Sequence, residues 1–212
     1  MIDVIQLKNQ LMESNCFIVV DKESKSCVVI DPATEKPEKE FRFIDENGLQ
    51  LDYIIVSHTH ADHCWGVNTL KIRYPEAKLV YHEDNYMKRE IMLFFRMWHE
   101  DVNYDYELMP ADMLIEDGQV IKWHGHNMVF MLTAGHSEGS VCFTIDDKLF
   151  TGDTIMPFPP YFNGRGSNKK EWRKSVEKIV KTYSPDITIY PGHGEVLKLD
   201  EWMSNEEWIY AK

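Results

Sequence analysis

The sequence predicts an α+β fold, on three observations. Short runs of β-branched and aromatic residues recur along its 212 residues, bounded by polar turns. Between them lie longer stretches with apolar residues at helical spacing. Several of the short runs also end in loops that set histidine or aspartate beside glycine. The length suits one domain over 1–212.

Residues 2–7 read as the first strand. Residues 16–20 and 27–30 read as a hairpin around the polar turn 21–26, ended by Asp31-Pro32. Residues 35–47 form an amphipathic helix closed by Gly48, a common residue just past a helix end. A buried strand over 53–56 leads into a histidine-rich loop, then the opening turns of a helix over 67–74 and a strand over 78–81. The helix over 83–98 carries Met87, Ile91, Met92, Phe94, Phe95 and Met97, which pack in the core or a dimer interface, or wall a substrate site. Residues 100–117 are acidic and irregular. Four strands follow, over 119–123, 128–132, 141–145 and 148–150. The helix over 169–182 packs by Trp172, Val176, Ile179 and Val180. Its basic residues form a solvated face or a dock for an anionic substrate. A strand over 187–190 and a helix over 199–210 close the chain. His82, His99, His124 and His126 read as surface histidines outside any ligand-like frame.

With 43% hydrophobic and 12% aromatic residues the chain can bury a substantial core. A formal charge of -12 disfavours nucleic acid and anionic membranes as partners. It leaves a small-molecule substrate, even an anionic one, because a metal centre supplies local positive charge. A homodimer is permitted. Cys16, Cys27, Cys64 and Cys142 form no Cys-x-x-Cys pair, the pattern of a reduced cytoplasmic protein. The start shows no basic segment followed by an apolar core, and no apolar run approaches membrane-spanning length, so neither a signal peptide nor a spanning helix is expected.

The functional signal begins at Ser57-His58-Thr59-His60-Ala61-Asp62-His63-Cys64-Trp65-Gly66. In extended chain, residues two apart point the same way, so His58 and His60 can reach one point. Asp62 and His63, where the chain bends into a helix, can turn toward a second point. Imidazole and carboxylate are ligands that zinc, manganese and iron accept. Three later strands end in a glycine turn with one further metal-capable side chain: Thr133-Ala134-Gly135-His136, Thr151-Gly152-Asp153 and Pro191-Gly192-His193-Gly194. Glycine lets the backbone turn sharply, so the next side chain can be aimed off the strand end.

On His58-Thr59-His60-Ala61-Asp62-His63, Gly135-His136-Ser137, Gly152-Asp153 and Pro191-Gly192-His193-Gly194, the sequence resembles the metallo-β-lactamase superfamily, and within it the glyoxalase II-like hydrolases. The resemblance runs from the first hairpin to Gly194. It implies a four-layer αββα sandwich, two mixed β-sheets with helices outside and the site at one edge. It implies two divalent metal ions, zinc first, with iron or manganese as alternatives. His58, His60 and His136 would hold one ion and Asp62, His63 and His193 the other, with Asp153 bridging. Ions about 3.5–4 Å apart can share a water and lower its pKa, making it a nucleophile toward a carbonyl carbon. Asp62 would be catalytic, orienting that nucleophile and accepting its proton. With no obvious separate general acid, a thioester or ester suits the site better than an amide.

Asp153 stands where the best-known zinc β-lactamases carry cysteine, which disfavours a lactamase. Glyoxalase II enzymes continue into a helical domain that helps bind glutathione; the sequence stops short of one, which counts against glutathione thioesters without affecting the metal site. Trp65 and Ala134 replace a common glycine and proline of the family, and Trp65 either walls the pocket or packs in the core. The aromatic, proline-stiffened stretch 156–166 is a candidate for substrate contact through Phe158, Tyr161 and Arg165, or else packs beneath its loop. Met156 takes the place of a tyrosine found in acyl-homoserine lactonases of this fold. The competing readings are a mononuclear iron persulfide or thiol dioxygenase using His58, His136 and Asp153, a lactonase, and a metal-stabilised binding scaffold.

Overall fold

The computed structural model describes residues 2–84, 106–162 and 166–204. The chain divides into two compact units, Met1–Leu114 and Ile115–Lys212.

The first unit is built on a six-stranded mixed sheet in the order β1-β2-β3-β4-β5-β6. Its strands are β1 (Ile2–Lys8), β2 (Asn15–Asp21), β3 (Ser26–Ile30), β4 (Gln50–Ile55), β5 (Lys78–Tyr81) and β6 (Met113–Leu114). β1, β2 and β3 are antiparallel neighbours; β3 through β6 run parallel. β2 and β3 are buried along their whole length, which is why they read as continuous apolar runs rather than alternation. Ile44 of α1 (Glu38–Glu46) and Val67 and Leu70 of α3 (Val67–Arg73) pack into the core with Ile18, Val29, Ile54 and Leu79. α1 starts three residues later than its periodicity suggests. Pro37 occupies the N-cap, and a proline bars the residue before it from helical backbone. A short helix, α2 (Ala61–Cys64), precedes α3.

The second unit carries the other mixed sheet, in the order β12-β11-β10-β9-β8-β7. Its strands are β7 (Val120–Trp123), β8 (His126–Leu132), β9 (Val141–Ile145), β10 (Lys148–Gly152), β11 (Thr188–Pro191) and β12 (Leu197–Lys198). The β10–β11 pair is parallel and the other pairs antiparallel. Register partners stack an aromatic row across four strands: Phe130 on Phe143 at 5.0 Å, Phe143 on Phe150 at 5.2 Å, and Phe150 on Tyr190 at 5.0 Å. The long helix α4 (Lys169–Thr182) opens at Asn168, whose side chain accepts from the Lys170 and Glu171 amides. It buries Trp172, Ser175 and Ile179, as its apolar spacing predicts, and leaves its basic residues outward. α5 (Leu199–Ser204) is the described part of the closing helix.

The helix expected over 83–98 lies, beyond Asp84, outside the described residues, as do His99 and Arg165. His82 corrects the surface reading: it is buried, with Nδ1 accepting from the Asp84 amide at 3.2 Å. Histidine spacing carries no signal for such burial. His124 is exposed and His126 half-buried, the latter 2.6 Å from an Asp146 carboxylate oxygen. Among the described residues, no helix is long and apolar enough to cross a membrane.

Candidate metal centre

In the first unit the donors follow the C-terminal end of β4, beside that of its parallel neighbour β3. β3 and β4 end in register at Ile30 and Ile55, so Asp31 and Ser57 lie side by side. The chain past β4 stays extended to His60, the N-cap of α2, with φ -66° and ψ 145°. That carries His58 and His60 to one point, with their Nε2 and Nδ1 atoms 3.0 Å apart. Asp62 and His63 sit in the first turn of α2, with His63 Nε2 3.7 Å from Asp62 Oδ2. His58, Asp62 and His63 are buried and His60 is half-buried.

Asp31 organises this cluster, and the sequence reading assigned it no role beyond ending a strand. It holds the left-handed backbone region at φ 52°, which aspartate tolerates. Its Oδ1 accepts from the Ser57 amide at 2.7 Å and its Oδ2 from the Ser57 hydroxyl at 2.6 Å. Oδ2 also lies 3.1 Å from His63 Nδ1. Proton counting fixes the tautomers. A carboxylate only accepts, so His63 carries its proton on Nδ1. The Ser57 hydroxyl gives its one proton to Asp31 and must accept at its 3.1 Å contact with His58 Nδ1. Both imidazoles therefore present their Nε2 lone pairs, the form a metal binds.

The second unit repeats the arrangement at three strand ends. Past β8, Gly135 takes φ 139°, and a Cβ there would lie 2.2 Å from the Trp172 backbone nitrogen, so glycine alone fits. The Ser175 hydroxyl donates to the Ala134 carbonyl at 2.7 Å and the Asn168 amide to that of Gly135, also at 2.7 Å, pinning the turn to the start of α4. His136 lies 3.1 Å through Nδ1 from the Tyr161 carbonyl, an acceptor only, so its Nε2 also presents a lone pair. Past β10 comes Asp153 and past β11 His193, their strand ends tied by the Gly192 amide donating to the Gly152 carbonyl at 2.8 Å.

Asp153 Oδ2 stands 3.5 Å from His136 Nε2 and 3.6 Å from His193 Nε2. These separations are too long for hydrogen bonds. Two ligands about 2.0–2.2 Å from one ion at a tetrahedral angle stand about 3.4 Å apart. The donor set thus fits a metal by geometry as well as by chemistry.

Trp65 is 3% exposed and packs with Leu11, Ala33, Ala61 and Tyr106. Of its two readings, this packing matches the core one. Phe158 and Tyr161 are 43% and 59% exposed, and the Phe158 ring centroid lies 6.4 Å from that of His193.

The profile of the metallo-beta-lactamase superfamily matches residues 10–193. The probable polyketide biosynthesis zinc-dependent hydrolase BaeB of Bacillus velezensis is 29% identical over 90% of this chain and 78% of its own length. A hydroxyacylglutathione hydrolase of Francisella tularensis is 28% identical over 96% of this chain and 69% of its own. The mitochondrial persulfide dioxygenase of Homo sapiens is 27% identical over 84% of this chain and 62% of its own. Among solved structures, the BLEG-1 B3 metallo-beta-lactamase superposes with a TM-score of 0.82 at 18% identity, over 99% of this chain and all of its own. Two mixed sheets with strand-end histidines and aspartates, and a profile match spanning most of the sequence, lead to one conclusion: the chain belongs to the metallo-β-lactamase superfamily of metal-dependent hydrolases.

Proposed function

We propose that the protein is a dinuclear metal-dependent hydrolase of small-molecule thioesters or esters. The observation that carries this reading is Asp153, one carboxylate oxygen held at ligand spacing from two imidazoles, as a bridging ligand requires. His58, His60 and His136 hold one divalent ion in this reading, and Asp62, His63 and His193 the other. The close approach of His58 to His60 in the first unit, and of Asp153 to His136 and His193 in the second, supports that donor set. Zinc is the first expectation, supported by the zinc-dependent hydrolase among the relatives. When bound, the ions supply a water acidic enough to act near neutral pH and polarise the carbonyl it attacks. The chain's residues do the rest. Asp62 orients the nucleophile and takes its proton. Asp31, Ser57 and the Tyr161 carbonyl fix the histidine tautomers. Phe158 and Tyr161 give the substrate an apolar rim.

Elemental analysis of protein purified without chelators or added metal tests the reading. Near two equivalents of divalent metal per chain are expected, with thioester hydrolysis lost in both His60→Ala and Asp153→Ala. Activity that survives both substitutions rejects it. The persulfide dioxygenase relative supports a second reading, a single iron held by His58, His136 and Asp153. About one equivalent of iron together with thiol-dependent oxygen uptake would select it.

A further inference from the structure

We infer that a cavity in the second unit is the acyl subsite of this centre, and that it takes a short apolar chain ending in an anion. The inference rests on the hydrolase reading above. The cavity has a volume of about 100 Å³ and begins where the ligand loop leaves Asp153: Thr154 and Met156 line it. Phe158 faces the cavity and also stands beside His193. Phe158 is thus shared by the cavity and the neighbourhood of His193, and it marks the path we assign to the acyl arm of a substrate whose carbonyl lies at the metal centre.

The walls select what enters. Trp172 and Trp202 both line the space, and both have spent their only donors. Trp172 Nε1 donates to the Thr154 carbonyl at 2.7 Å, and Trp202 Nε1 to the Met156 carbonyl at 3.0 Å. What they offer a ligand is ring surface. Phe162, edge-on to Trp172 at 5.4 Å, continues that surface. At about 30 Å³ for each water-sized group, the space suits a few carbons rather than a peptide.

Charge enters at the rim. Lys169 and Arg173, one helical turn apart on α4, line the same cavity. Lys169 Nζ lies over the Phe162 ring at 5.6 Å, and Glu171 between them is bonded to Lys174 at 2.8 Å. An apolar chain laid along the rings thus meets two cations at its far end.

The test compares glutaryl and valeryl thioesters of N-acetylcysteamine, which share a five-carbon chain and differ in the terminal carboxylate. The full metal-loaded chain should favour the glutaryl substrate in kcat/KM by roughly fivefold to tenfold, as expected for partly exposed ion pairs. The double variant Lys169→Glu, Arg173→Glu should reverse the ratio. Lys181→Glu, in the last turn of α4, should keep the wild-type ratio. Glutarate alone should change tryptophan fluorescence in the wild type and much less in the double variant, a readout without turnover. Thioester hydrolysis with the same substrate ratio in wild type and double variant overturns the subsite and leaves the hydrolase reading intact. A glutarate response that depends on Lys169 and Arg173, with no hydrolysis of any thioester, supports the subsite and rejects the hydrolase.

Discussion

Asp31→Asn is the most informative single change in the first unit. The carboxylate is buried and meets three groups, the Ser57 amide, the Ser57 hydroxyl and His63 Nδ1, at 2.7, 2.6 and 3.1 Å. Asparagine keeps the shape and one acceptor oxygen but turns the other oxygen into a donor. If the amide nitrogen takes the Oδ2 position, it faces the Ser57 hydroxyl and His63 Nδ1, both of which donate there in the native protein. Hydrogen bonds to a charged group contribute about 1.5–3 kcal/mol, so a loss near 2 kcal/mol is expected. For a chain of this length that lowers Tm by about 4–8 °C. The larger effect falls on metal binding. His63 can then move its proton to Nε2, the atom that faces the ion, and His58 loses its fixed partner through Ser57. Outer partners of metal-ligating histidines contribute about 10–100-fold in affinity. Competition against a zinc-binding dye, read alongside a thermal melt of the same sample, separates the two effects. A variant that melts lower but binds zinc with wild-type affinity would refute the tautomer argument and leave Asp31 a purely structural residue.

Other outcomes follow from the same geometry. Phe143→Ala removes the centre of the four-ring row and should cost about 3–5 kcal/mol in denaturant unfolding. Gly135→Ala forces a Cβ into the Trp172 backbone at φ 139°, and should destabilise by at least about 3 kcal/mol while lowering metal content, since His136 is the next residue. All four cysteines are buried. Burial pushes the Cys27 thiol up to about 12 and that of Cys142 to about 11, so native protein at pH 8 should show no fast thiol toward an aromatic disulfide reagent. The hydrogen bond from Lys71 holds the Asp112 carboxyl below its usual range, so its stabilisation is present above the unfolded value near ~3.9 and is lost as pH falls through the folded one. Lys71→Met should therefore lower Tm more near neutrality than below about pH 3, where only the loss of its bonds to the Pro75 and Ala77 carbonyls remains.

The candidate metal donors stand out in the sequence because their pattern is local. His58 to His63 fall within one short loop, and His136, Asp153 and His193 each follow a strand-end glycine turn. The strands were legible from apolar runs, and α4 from its spacing, because both periods are properties of consecutive residues. Asp31 was not, because its role depends on the parallel pairing of β3 with β4, which brings it against Ser57 from 26 positions away. In sequence it is an aspartate before a proline, the common form of a turn. His82 was misread for a related reason: a polar ring in sequence does not report burial, and for Trp65, where core and pocket were both open, only the structure shows the burial. The cavity behind the ligand loop was no more visible, since Met156, Phe162, Trp172 and Trp202 come together only through three separate elements.

The loop after Asp153 joins the candidate ligand His136 to the substrate contacts proposed above. Its Tyr161 carbonyl fixes the His136 tautomer, while the Tyr161 and Phe158 side chains are exposed at 59% and 43%. Phe158 and Pro157 also close on Gly194, the residue after His193, where an added Cβ would lie 2.9 Å from Pro157 Cγ. The same short stretch thus touches the neighbourhoods of His136 and His193 and, through Phe158, Pro159 and Pro160, lines the proposed acyl cavity. Prolines at 157, 159 and 160 restrict the backbone that carries these contacts. A stiff loop suits this double role. A shift large enough to admit a bulkier acyl group would move the carbonyl that orients His136, so in the proposed hydrolase specificity would be coupled to the geometry of a bound metal through the Tyr161 backbone.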